Sequence, residues 1–165
     1  MKKFVLALFT VALSVFMLAS CSPSSETLDD LHQTVEKACA AADFSNLEFN
    51  FKSDDYSEEI LMYMYGVEDE DLIDSIEDFV LSERSGMSAS TFSVIRFKSG
   101  TEKSVIDSVK TAVEEVYVQS LMNALMPYDP TEYEISKEYK FKTIGNDLVL
   151  VISKDADAVL EAVVK

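Results

Sequence analysis

The chain has 165 residues, of which 30 are acidic and 14 basic, for a formal charge of −16 at pH 7. That balance argues against nucleic acid, whose phosphates need a basic patch, and against an ionic hold on anionic lipid headgroups, which would repel the domain. With 48% hydrophobic residues the composition is that of a folded domain rather than an acidic disordered tail.

Lys2 and Lys3 form a positive n-region, and Phe4 to Met17 an apolar stretch too short to be a comfortable membrane span. Leu18-Ala19-Ser20-Cys21 then fits the bacterial lipobox at each of its four positions. Small residues at 19 and 20 present Cys21 to a peptidase that needs a thiol there, because the sulfur first receives a diacylglycerol. The expected organisation is a lipoprotein signal peptide over 1–20, a lipidated Cys21 with its tether over 21–27, and a single domain over 28–165. An ordinary secretory signal with a cysteine nearby by chance is the plainer alternative. At about 0.8 kcal/mol per buried CH₂, two or three acyl chains hold a protein firmly where one binds reversibly. The lipid would thus anchor the domain to the extracytoplasmic face of the cell membrane. Ser22-Pro23-Ser24-Ser25 is a polar tether; six or so extended residues reach only about 20 Å.

With Cys21 lipidated, Cys39 has no partner in the chain and no intramolecular disulfide forms in the mature protein. From Glu26 to Ala42, Leu28, Leu31, Val35, Ala38, Cys39 and Ala42 recur at helical spacing, which predicts a first helix with Ser25 or Thr27 as N-cap. On that stripe Cys39 reads as a small core residue, with a reactive thiol as the alternative. Residues 46–52 alternate, Leu47, Phe49 and Phe51 against Glu48, Asn50 and Lys52, and predict a strand ended by Ser53-Asp54-Asp55. A second helix is expected from about Ser57 to Tyr65, stopping at Gly66. Its core, Ile60 to Tyr65, is apolar nearly all round and reads as buried on more than one side, with a Met/Tyr docking surface as the sharper alternative. Val67 to Ser75 reads as a solvated acidic turn. A calcium loop counted from Asp69 would need glycine at the sixth position and glutamate at the twelfth, where Asp74 and Val80 stand.

Ile76 to Arg84 and Thr91 to Lys98 read as hairpin neighbours across the small-residue loop Ser85 to Ser90. Thr101 can cap the longest helix, about 102 to 126, with Val105, Ile106, Val109, Ala112, Val113, Val116 and Leu121 on its apolar face. Pro127 and Pro130 close that helix and open a loop. Tyr139, Phe141 and Thr143 alternate with Lys140 and Lys142 as in a half-buried strand, and Gly145-Asn146 makes a tight turn. Leu148 to Ile152 is continuously apolar, as in a central strand covered on both faces, and Asp155 can cap a final helix through Val159, Leu160 and Val163. The order predicts an α+β fold, an antiparallel sheet of four to five strands with helices packed against it, preceded by a helical N-terminal part.

Tyr65-Gly66-Val67 before an acidic turn and Met87-Ser88-Ala89 before a strand form part of a pattern. The long helix ending near Pro127, Gly145-Asn146 leading into Val151-Ile152-Ser153, and Asp155-Ala156-Asp157 complete it. In that order the chain resembles the bacterial lipoproteins of the domain of unknown function 4358 family, over roughly 28 to 164. It departs from the family at Thr91-Phe92, where an acidic residue commonly precedes the second strand, so a role of that acid does not carry over. The resemblance implies a lipid-anchored envelope protein of Gram-positive bacteria; it supplies no reaction, cofactor or catalytic residue.

The residues themselves supply none either. His32 is the single histidine and reads as a helix surface residue, and His32 with Cys39 falls short of a zinc set. The four glycines, at 66, 86, 100 and 145, form no phosphate loop. Asp155 and Asp157 read as helix-start residues rather than a glycosidase pair. The expectation is a non-catalytic interaction or accessory module of the cell envelope without cofactor or metal, held to the membrane by its N-terminal lipid, with a possible envelope protein partner and no nucleic acid. A small-ligand or cation-binding lipoprotein serving a transporter is the alternative. An envelope hydrolase comes third and would need a buried carboxylate pair in a cleft.

Overall fold

The computed structural model describes residues 28–164. The expected signal peptide with Leu18, Ala19 and Ser20, lipidated Cys21, the tether, and the candidate caps Ser25 and Thr27 lie outside the described residues.

Strands β1 (Leu47–Phe51), β2 (Ile76–Arg84), β3 (Thr91–Phe97), β4 (Lys140–Ile144) and β5 (Asp147–Ile152) form one sheet in the order β1-β2-β3-β5-β4. Every neighbouring pair is antiparallel. β5, apolar from Leu148 to Ile152, is buried along its whole length, and β3 beside it nearly so. Alternation divides the core in two. Phe79, Leu81, Leu148, Leu150 and Ile152 face one side, and Val80, Val149 and Val151 the other. The turn between β4 and β5 has two residues, with Gly145 at φ 58° supplying the left-handed position that closes it.

Helix α1 (Leu31–Ala41) and α7 (Ala156–Val164) cover the second face through Leu31, Ala38, Val159 and Val163. The first face lies under a longer run: α4 (Lys103–Val113), a π-helical segment Glu114–Val118, and α5 (Gln119–Leu125). A second π-helical segment, Ile60–Met64, follows the short α2 (Ser57–Glu59) and packs Leu61 into the same core.

Several local expectations are corrected. The first helix begins at Leu31 rather than Glu26, because the Asp30 side chain accepts the His32 N–H and caps it there. Cys39 is exposed, since Leu31, Thr34 and Ala38 are the positions that face the sheet and Cys39 is one step beyond them. The acidic turn contains α3 (Glu70–Asp74), capped by Asp69. Pro130 opens no loop. It stands in the first turn of α6 (Pro130–Ser136), whose cap Asp129 accepts from the Thr131 and Glu132 N–H groups. Val116, expected on the buried face of the long helix, is 37% exposed, because the π-helical segment turns it outward.

The two ends of the sheet differ in what they hold. Arg96 grips buried Asp147 in a two-point pair, Nε to Oδ1 at 2.7 Å and Nη2 to Oδ2 at 3.2 Å, and Nη2 also donates to the Asp29 carbonyl at 2.9 Å. The first described residues are thereby pinned where β3 ends and β5 begins. The Ser85 to Ser90 loop sits at the other end of β3, six residue steps or about 20 Å away.

Candidate functional site

The site begins where β2 and β3 part. Their ladder runs from Ile76↔Phe97 to Val80↔Val94; beyond it β2 continues on β1 as far as Arg84↔Leu47, and β3 on β5 as far as Thr91↔Ile152. Buried backbone N–H groups in such a gap need acceptors. Serine hydroxyls supply them: Ser82 N donates to Ser93 Oγ at 3.0 Å and Phe92 N to Ser82 Oγ at 3.2 Å. Tyr65, fully buried, reaches in from above, its hydroxyl 2.6 Å from Ser93 Oγ and donating to the Ser82 carbonyl at 2.9 Å. Burial, and after it the neighbouring Tyr117, pushes the Tyr65 phenol well above its ordinary value. The two tyrosine rings stack at 4.3 Å, and the Tyr117 hydroxyl lies 3.0 Å from Thr91 Oγ1.

The stack brings the two π-helical segments together. A Cβ on Gly66 would stand 2.4 Å from Val116 Cγ2, so the backbone passes at a distance that only glycine allows, at φ 76°. Each segment carries an i→i+5 turn, an irregularity that often marks functional positions. In the second, Tyr117 and Val118 are both buried and Val116 is left outside. In the first, Leu61 and Tyr65 enter the core while Tyr63 stands 72% exposed.

The result is an open groove of about 660 Å³ at the parted end of the sheet. Tyr63 and Met64 form one wall, Val116, Ser120 and Ala124 the other, and Glu83 and Arg84 lie at the end of β2. Arg84 makes no ion pair among the described residues. Beside Gly86, Met87 is 48% exposed. The Met87-Ser88-Ala89 loop is held by α6: Glu132 Oε2 accepts the Ala89 N–H at 2.7 Å and lies 3.4 Å from Ser88 Oγ.

Other residues singled out in the sequence stand apart from this groove. His32 is exposed on α1 with its ring stacked 3.8 Å from that of Phe51. The Cys39 thiol is pushed up by partial burial, the direction opposite to activation. Asp155 gives its carbonyl to Val159 N, and Asp157 pairs with Lys140 at 2.6 Å. Among the described residues no three His, Cys, Asp or Glu side chains gather as a metal site. Buried Asp147 is committed to Arg96, and Glu83 is the single carboxylate lining the groove.

The groove was partly foreshadowed by the all-round apolar run Ile60 to Tyr65, which divides between core and surface. Arg84, Ser120 and Ala124 gave no signal: Ser120 and Ala124 follow Val116 at helical spacing, and it is the π-helical turn, invisible in the sequence pattern, that brings this row out to the groove. No curated protein and no solved structure matches the chain. A family model matches residues 45–153, which include all five strands, both π-helical segments and α6, and leave α1 and α7 outside. Asp155-Ala156-Asp157 thus falls beyond the match. The chain belongs to the family described as domain of unknown function (DUF4358).

Proposed function

We propose that this protein is a non-catalytic interaction module of the cell envelope, tethered by a lipidated Cys21, that grips an apolar segment of an envelope protein in the groove between its two π-helical segments. The observation that carries the reading is that Tyr63 and Val116 are exposed on facing walls of one open groove rather than scattered singly. The partner segment would place apolar side chains between these walls and a carboxylate on Arg84, whose guanidinium has no ion pair among the described residues. Orientation supports the same reading. Asp29 is held at the end of β3 away from the groove. A lipid at position 21 would leave the groove facing away from the bilayer, toward the envelope. No described helix is long and apolar enough to cross a membrane, and the proposed attachment rests on the lipobox Leu18-Ala19-Ser20-Cys21.

A photo-crosslinking phenylalanine analogue at position 63 in living cells tests this, with one at exposed Glu36 as the control. The expected result is a single dominant adduct from position 63, absent from position 36 and lost on Ser120→Lys. The same adducts from both positions, or none from position 63, would contradict the proposal. A groove of 660 Å³ also lies within the size of small-molecule sites. A small apolar acid that raises the melting temperature of wild type and not of Ser120→Lys would favour the ligand-binding alternative.

A further inference from the structure

We infer that the outer edge of β4 accepts an acidic, extended segment of a partner protein as a sixth strand. This surface is separate from the groove between the π-helical segments and shares no residue with it. β4 ends the sheet order, so alternate backbone N–H and C=O groups along Lys140–Ile144 point away from β5 without a strand to pair them. An open channel of about 580 Å³ follows this edge, with Lys110 and Glu114 on one flank and Leu160 of α7 on the other. An added strand would lie between two helices instead of projecting into solvent.

Charge decides what kind of strand fits. In a chain of net charge −16, Lys110, Lys137, Lys140 and Lys142 line this one channel, where Glu114 is the single lining carboxylate and Glu134 and Asp157 reach two of the lysines from beside it. Their present partners are weak holds. Lys137 pairs with Glu134 and Lys140 with Asp157, both carboxylates well exposed, and such pairs exchange at little cost. Lys110 lies over the Phe141 ring at 5.5 Å, and Lys142 makes no ion pair among the described residues. The two faces of the edge also differ. Tyr139 and Phe141 offer aromatic rings on the α4 side, in T-shaped contact at 6.0 Å, while Lys140 and Lys142 stand on the α7 side. The complementary strand alternates acidic and apolar residues, acids across from the lysines and aliphatic side chains on the rings. A second copy of β4 is a poor occupant, since antiparallel pairing centred on Phe141 sets Lys140 against Lys142.

The test uses the full-length protein in detergent micelles and an eight-residue peptide alternating glutamate and valine. The same peptide with a central proline, which cannot extend a ladder, is the control. The expected result is slowed hydrogen exchange at β4 amides with the first peptide alone, and binding weakened about fivefold in Lys140→Gln/Lys142→Gln. Binding of both peptides without β4 protection would reduce the effect to ionic attraction and overturn the inference. So would the absence of binding together with self-association of the double variant, which would make the lysines guards of an idle edge.

Discussion

Tyr65 does for the parted strands what a backbone N–H does in an unbroken ladder. Its hydroxyl engages Ser93 and the Ser82 carbonyl inside the core. Tyr65→Phe leaves these groups short of a partner and is expected to cost about 1–3 kcal/mol in urea unfolding at neutral pH. The pH dependence follows from the raised phenol. The folded state keeps this proton after the unfolded chain has lost it. The stabilisation is therefore complete below the ordinary tyrosine value of about 10 and is lost as pH rises toward the folded value. Tyr139, raised by its hydrogen bond to Glu114 and then by burial, adds in the same direction. Stability measured from pH 8 to 11 should fall in wild type and fall less steeply in Tyr65→Phe. Gly66 offers a second comparison. Gly66→Ala meets both a left-handed backbone and Val116, whereas Gly100→Ala meets the backbone alone, with nothing within 4 Å. The first should cost about 2–4 kcal/mol and the second about 1 kcal/mol by the same measurement.

At the scale of elements, the long helix shows how a regular period misleads. Ile106, Val109 and Val113 keep α-helical spacing, but beyond them the buried positions are Tyr117 and Val118, then Leu121 and Leu125, about one residue later than a 3.6-residue period from Val113 would place them. Extending the 3.6-residue period past Val113 places Val116 inside, and the π-helical turn sets it outside. Deleting exposed Glu115 should restore the α-helical period without moving the flanking core positions out of phase. The variant is expected to retain its far-UV circular dichroism and cooperative unfolding while losing the Tyr63 adduct; global unfolding would show that the π-helical turn is required for folding. The strands are legible in the sequence, β2 at both bounds, because alternating, β-branched or continuously apolar runs are closed by local turn residues such as Ser85-Gly86 and Gly145-Asn146. The two main errors had a common origin. Pattern places Cys39 in the core and Pro130 in a loop, but the face that α1 turns to the sheet and the Asp129 cap decide otherwise, while Pro127 does follow the end of α5. The groove was the least legible part, since it comes from two irregular turns meeting at Gly66.

The whole molecule divides its labour between the two ends of one sheet. Arg96 and Asp147 secure Asp29 at one end, and the parted strands open the groove at the other. Arg96→Ala would leave buried Asp147 without its partner, at a cost on the order of 2–4 kcal/mol, with the loss visible as faster hydrogen exchange in α1. The central claim is that this domain hangs from a lipid at position 21 with its groove directed outward. Intact mass spectrometry of protein extracted from the membrane fraction tests it most directly. The account predicts a mature chain beginning at Cys21 with a diacylglyceryl thioether, and loss of membrane retention in Cys21→Ser. A mature wild-type chain with an unmodified Cys21 sulfur, or a Cys21→Ser protein retained as firmly as wild type, would contradict it.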